Sequence, residues 1–473
     1  MVPPPDDHDC GWKAYAEHQS KEIAELRDKL AELERRLFAR KSEKRKSPKL
    51  PPPLPTNSTP EEAQKKRRDN KLLLEKGLET QVTPSPVCSC AACGSTNLEQ
   101  ISNKPSVIYE YVQGHFRKRV VQRQTVVCDQ GHVTTGPGPD RIGEKTRYAP
   151  SFVSHLATAK CRDSIPLYRL EKAYRSIGIP ISRSTMTDLL QRAARELAPL
   201  YEAALAMLRE APDIHADETS MRQQGLDKRT FIWNFTTPEL TVYCYATTRS
   251  GSVPVGVLGD SEGRLVVDAY TGYNQVTSTG RRVRAGCLAH ARRGLFAQRE
   301  NPGVDDALDL IGQIYAVERE ASRAGIVGTD AHLQLRRTRS RPLFAKLLCW
   351  AREQRRLFEP RSAMGKAVRY VTKNFRELGC FLRYASIPPD NNKAESALRR
   401  VALGRANYMF VGSENGGHNL AILYTLVATC EQHQVDPIAY LSDVLIRVQR
   451  HPASQVRELL PHRWKLSITR NQS

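Results

Sequence analysis

The chain has 473 residues, 40% of them hydrophobic, and 72 Lys and Arg against 51 Asp and Glu give a formal charge of +21. That length predicts three or more folded units, and the basic excess favours a polyanionic partner, nucleic acid by default, because binding releases counterions from phosphates. No apolar run reaches the roughly 18 residues of a membrane span, and "MVPPPDDHDCGWK" lacks the layout of a signal peptide, so a cytoplasmic, nucleoid-associated protein without a membrane partner is expected.

Ile23, Leu26, Leu30, Leu33 and Leu37 follow the alternating three-four spacing of a coiled-coil seam, predicted over 18–40. Glu22 and Lys29 then fall at g and Arg27 and Glu34 at e, which favours a parallel dimer; a solvated single helix is the alternative. Residues 41–85 read as a basic Pro-rich linker that cannot pack a core. Over 86–140, Cys90-x2-Cys93 and Cys128-x3-His132 supply two chelating pairs with strands such as "SVIYEYVQ" and "RQTVVC" between them, the pattern of a Zn2+-binding ribbon. Cys88 is a substitute ligand. Within 150–209, "SIPLYRLEKAYRSIG" and "SRSTMTDLLQRAARELAPLYEAALAML" read as two helices joined by "IPI". Met186, Leu189, Leu190, Ala193 and Leu197 mark the inner face of the second, and Arg183 stands at its start. This helix-turn-helix-like region fits a DNA major groove, or is a plain helical hairpin.

"PDIHADETSM" reads as a strand with Asp217 near its end, followed by a hairpin of "TFIWNF" and "LTVYCYATT". "GRLVVDAYTGY" is another buried strand, ending in Asp268. Carboxylates closing buried strands are costly unless paired or on a cation, so two of them suggest a shared cation site. Glu395, in "PPDNNKAESALRR", has two readings. With Asn392 as cap it completes a capping box; as a third carboxylate it allows two Mg2+ ions, one activating an attacking oxygen and one stabilising a leaving oxygen. Residues 300–385 look helical and basic.

In their order along the chain, "HADET", "VVDAYTGY", "GCLAHARR", "GKAVRYV", "DNNKAESALRRVALGRANYMFVGSENGG" and "VDPIAYLSDVLIRV" resemble transposases of the insertion-sequence 66 family. The resemblance runs from about 150 to 464. It implies a multidomain protein with an α/β ribonuclease-H-like, DDE-type catalytic core over 210–410, a helical insertion at about 300–385 and a helical C-terminal element over 411–473. The coiled coil, zinc ribbon and helix-turn-helix-like region precede this core. It also implies Asp217, Asp268 and Glu395 as the catalytic acids and Mg2+ ligands, with Mn2+ as a substitute ion. The family's Cys-x2-His falls on Cys287 and His290, in a positioning or structural role, a metal chelate being the other reading. Arg292, Arg293, Arg399, Arg400 and Arg405, with Arg183, are the implied DNA contacts, although any exposed basic helix face looks the same. Asn391 and Asn407 match family positions without a readable role. The ribbon departs from the family pattern: Gly131 stands where a second Cys-x2-Cys would close, with His132 one residue later, which leaves the fourth zinc ligand open.

The activity so implied is binding to the ends of an insertion sequence, metal-dependent strand cleavage and strand transfer into target DNA. A homodimer or higher oligomer and small accessory proteins of the same element are the implied partners. A catalytically silent or domesticated relative acting as a DNA-binding regulator is the rival reading.

Overall fold

The computed structural model describes residues 18–20, 23, 116, 125–127, 133–135, 141–143, 146 and 148–464. The expected coiled-coil seam beyond Ile23, the linker 41–85 and the zinc ligands Cys90, Cys93, Cys128 and His132 lie outside the described residues. The chain divides into two compact units, Lys41–Gly138 and the remainder. In the smaller unit, β1 (Thr125–Val127) pairs antiparallel with β2 (Val133–Thr135), Thr125 opposite Thr135, so that "RQTVVC" overlaps an observed strand.

The larger unit begins with helices Pro150–Cys161, Leu167–Ser176, Arg183–Glu196 and Ala198–Glu210. Ser182 caps the third, its hydroxyl accepting from Thr185 N–H at 3.2 Å. Met186, Leu189, Leu190 and Ala193 are buried, as their spacing predicts. The long second helix of the sequence reading is two helices. The break falls at Leu197 because Pro199 has no N–H to continue the ladder and its ring clashes with the preceding turn, while it suits the first turn of a new helix.

Five strands form one mixed sheet: β3 (Asp213–Met221), β4 (Thr230–Thr236), β5 (Thr241–Ala246), β6 (Gly263–Val266) and β7 (Arg282–Ala285), in the order β5-β4-β3-β6-β7. β3, β4 and β5 make an antiparallel meander; β6 and β7 run parallel to β3. Asp217, expected near a strand end, sits in the middle of β3 opposite Asn234, because pairing with β4 persists to Met221 opposite Thr230. On the other flank, pairing with β6 stops at His215 opposite Val266. The sheet therefore splits one residue pair before Asp217, and this opening at the carboxyl ends of the parallel strands is where open α/β sheets take their ligands.

Beyond β7 come the helix Leu288–Phe296 and the helical segment expected at 300–385, with helices Val304–Arg323, Asp330–Leu335, Arg341–Leu357, Ala363–Lys373 and Phe375–Leu378. Leu295, Ile311, Ile314, Leu347 and Val368 join Val266 and Ala285 of the sheet in one apolar core. Arg336, in a π turn, is 1% exposed. Its Nη1 donates to the carbonyls of Phe381, Tyr384, Ala385 and Ile387 at 2.9–3.2 Å, while Nε and Nη2 fork onto Glu318 at 2.8 and 2.6 Å. Such a group is tolerated inside because every donor edge is used.

The chain returns to the sheet with Asn392–Tyr408 and Glu414–Gln432, continues with Pro437–Arg447 and a 3-10 turn, Ala453–Leu459, and ends its described part in a helical turn over 461–464. Glu414–Gln432 runs along β5. Thr425 and Thr429 hydroxyls accept from the N–H groups of Tyr243 and Thr241 at 2.9 and 3.3 Å, and the Tyr201 hydroxyl donates to the Tyr243 carbonyl at 2.9 Å. No described helix is long and apolar enough to cross a membrane.

Candidate active site

Asp217, Asp268 and Glu395 arrive from β3, from the loop two residues beyond β6 and from the first turn of Asn392–Tyr408. The two aspartates are held by main-chain donors: Asp217 Oδ1 accepts from Glu218 N–H and Asp268 Oδ1 from Tyr270 N–H, each at 2.9 Å. Among the described residues neither forms an ion pair. Burial first, then the neighbouring charges of Glu218, Asp268 and Glu395, push the Asp217 carboxyl up to about 7.

Glu395 is placed differently. Its Oε2 accepts from Arg293 Nη2 at 3.0 Å, and its Oε1 lies 3.4 Å from His290 Nδ1, without hydrogen-bond alignment, and 4.0 Å from Cys287 Sγ. The capping box is not formed. Asp390 Oδ1 takes the Asn392 N–H at 3.1 Å instead, and the residue preceding the helix is Asn391, whose amide points away from it.

Asn391, whose role the sequence left unread, is 1% exposed and ties the two sides of the site together. Its Nδ2 donates to the carbonyl of Ala216, next to Asp217, at 2.7 Å, and its backbone N–H reaches Cys287 Sγ at 3.2 Å. With Nδ2 spent as donor, Oδ1 is the acceptor facing His215 Nδ1 at 3.1 Å, so that nitrogen carries the proton. Burial lowers the His215 pKa to about 4 and keeps the ring neutral. Cys287 is likewise a neutral thiol, pushed up to about 11 mainly by burial. Gly286 beside it donates its N–H to the Glu377 carbonyl at 2.8 Å; a Cβ there would stand 3.0 Å from Leu378 N, so the close approach favours glycine.

A second network supports the Asp268 loop. The Glu218 side chain is 1% exposed; Oε1 accepts from Arg249 Nε at 2.8 Å and Oε2 from the Tyr273 hydroxyl at 2.6 Å. Arg249 stacks 4.0 Å over Tyr270, whose hydroxyl bonds back to the Arg249 carbonyl. Glu218 thus ties β3 to the loop that follows Asp268. No sequence reading singled out Glu218, Arg249 or Tyr273; the "DAYTGY" aromatics were the only visible hint.

Cys287 and His290 come together with Glu395, their ligand atoms all within 4.8 Å of one another, a donor set able to hold a cation. Of the basic residues, Arg293 pairs with Glu395 and Arg292 lies 5.8 Å over Phe296. Arg399 is exposed. Two others turn into the protein: Arg400 pairs with Glu431, and Arg405 Nη1 bonds to Thr219 Oγ1 and Ser220 Oγ on β3 at 3.2 and 3.0 Å. Asn407 Nδ2 holds the Ser164 carbonyl at 2.9 Å, and Arg183, in the helical region, pairs with Glu171 at 3.1 Å.

Residues 145–419 match the family model described as the transposase IS66 family, and residues 425–462 match the IS66 C-terminal element. The class is that of DDE transposases, nucleotidyl-transfer enzymes that act on DNA and usually use divalent metals. The chain belongs to the IS66 transposase family within it. Among its relatives, the uncharacterized protein y4jD of Sinorhizobium fredii (strain NBRC 101917 / NGR234) is 30% identical over 409 residues, 80% of this chain and 79% of that one. The uncharacterized proteins y4hP and y4qI of the same organism are 27% and 28% identical over 416 and 437 residues, covering 81% and 86% of this chain and 75% and 79% of theirs.

Proposed function

We propose that this chain binds the ends of an insertion sequence and cuts and joins DNA strands at Asp217, Asp268 and Glu395, on a core of the ribonuclease-H-like type. The observation that carries the reading is an acid without an ion-pair partner among the described residues where the sheet splits: Asp217 accepts only from the Glu218 N–H, and burial and nearby carboxylates push its carboxyl up to about 7. Its donor set is all oxygen, which fits a hard divalent cation such as Mg2+ or Mn2+. When bound there, such ions supply activation of an attacking hydroxyl and stabilisation of the leaving oxygen.

The chain's own residues hold the geometry. Asn391 fixes the spacing between the Asp217 strand and the Glu395 helix, Glu218 and Tyr273 fix the loop of Asp268, and Arg293 with His290 orients Glu395. Water attacks the phosphodiester at the element end, and the freed 3'-hydroxyl then attacks target DNA in line, with no covalent protein intermediate. The helices within 150–209, including Arg183, bind the element end; Arg292, Arg293 and Arg399 contact phosphates beside the acids; the region 18–40 pairs two copies. Cys90, Cys93, Cys128 and His132 hold a structural Zn2+, a reading supported by their spacing, which elemental analysis of the full chain against a Cys90→Ser/Cys93→Ser variant tests.

Asp217→Ala, Asp268→Ala and Glu395→Ala should each lose Mg2+-dependent cleavage of a duplex carrying the element end while still shifting that duplex in a gel. A variant cutting at the wild-type rate removes that residue from the assignment.

A further inference from the structure

Four arginines to which the active-site reading gives no role converge in the helical insertion. Arg337 and Arg341, one helical turn apart, and Arg376 and Arg383 line an open cleft of about 600 Å³ together with Phe344 and Phe375. All four arginines are exposed, and no Asp or Glu lines the cleft. The nearby ion pairs are made by Arg336 with Glu318 and Arg339 with Glu320; none of the four joins one among the described residues. Like charges held around one concavity repel unless an anion sits among them.

The cleft is built to keep those charges in place. Arg336, directly before Arg337, is the buried residue whose guanidinium grips the carbonyls on both sides of Arg383, from Phe381 to Ile387. One clamp thus fixes two walls. Gly379 lets the segment between Arg376 and Arg383 close onto Phe344, since a Cβ there would stand 3.0 Å from the Phe344 ring. The cleft also adjoins the candidate active site along the chain in two directions. Glu377, next to Arg376, accepts the Gly286 N–H beside Cys287, and the segment bearing Arg383 runs on into Asp390 and the Glu395 helix.

We propose that this cleft binds the phosphate backbone of duplex DNA leaving the candidate active site, a second DNA contact carried by the insertion. Planar guanidinium forks match phosphate oxygens, and four of them spread along an open cleft suit successive phosphates better than one small anion. The inference rests on the reading of the chain as a DNA-joining enzyme.

The test uses the full-length protein and a fluorescent duplex, titrated at several salt concentrations. Arg337→Ala/Arg376→Ala is compared with Arg319→Ala/Arg323→Ala, a pair of exposed arginines on the same insertion but outside the cleft. Each lost phosphate contact lowers the slope of log affinity against log salt by about 0.9, so the cleft pair should lower it by about 2 and weaken binding at low salt by about tenfold or more. The control pair should leave the slope unchanged, and thermal melts should match wild type for both. Arg341→Ala/Arg383→Ala should repeat the cleft result. If both cleft pairs behave like the control pair while wild type binds DNA, the cleft proposal falls and the active-site reading stands. Wild-type protein that binds no duplex at any salt overturns both.

Discussion

On the sheet side of the site, the Asp217 and Asp268 carboxylates accept from main-chain N–H groups and form no ion pair among the described residues, Arg284 reaching only the Asp268 carbonyl; on the helix side, Glu395 has Arg293 at 3.0 Å and His290 at 3.4 Å. On the strands a proton or an added cation can relieve the Asp217 charge, whereas Glu395 already has Arg293 beside it. The contrast places on the strands the pH sensitivity that comes from Asp217.

The comparison breaks most severely at Glu218, the acid next to Asp217 that has its own side-chain partners. Glu218→Ala strands the Tyr273 hydroxyl and frees Arg249. Losing one partner of a buried pair costs about 3–5 kcal/mol, and the half-exposed Arg249 sets the low end, about 3 kcal/mol, read from the urea midpoint. Asn391→Ala cuts the tie between the two sides and orphans the Ala216 carbonyl and His215. Unsatisfied buried groups of this kind cost about 1–3 kcal/mol, and a loss of about 2 is expected in the same titration, with slower cleavage in Mg2+.

A smaller effect sharpens the contrast through pH. Because the Asp217 carboxyl is raised to about 7, the native state binds more protons than the unfolded chain between about pH 4 and 7; its contribution is full below the unfolded pKa and is lost as pH rises through about 7. In EDTA, Asp217→Asn should therefore melt a few degrees, about 2–4 °C, above wild type at pH 8, and the gap should close towards pH 4. Added Mg2+ should raise the wild-type melting temperature at pH 8 and not that of the variant. The smallest change belongs to the helix side: Arg293→Ala removes an exposed partner and should cost under about 1 kcal/mol, read from the urea midpoint.

The elements that carry the three acids were legible because each is a local pattern, an apolar strand run or a helix start, that sequence periodicity reports. The strand order was not, and Asp217 moved from the end of its strand to the middle because the pairing that extends it comes from β4, across a turn. Pro199 was in plain view, and its break at Leu197 could have been read from the missing N–H. Arg400 and Arg405 show what composition hides: on a helix both look like exposed cations, and only the packing against Glu431 and β3 shows where they turn. The Glu218 and Asn391 ties join residues up to 176 positions apart, which no local window contains.

The helix that lies along β5 has a consequence for crowding. An edge strand with open N–H groups is a template on which any other extended chain, including the same strand of another copy, can crystallise into a growing sheet. At Thr241 and Tyr243 those donors already end in Thr429 and Thr425, and a carbonyl ends in Tyr201. The stretch matched by the C-terminal element opens at residue 425, the first of these stoppers. Copies of the chain that meet along this border at high concentration therefore meet as closed surfaces, unable to zip backbone to backbone at those positions into fibrous aggregates.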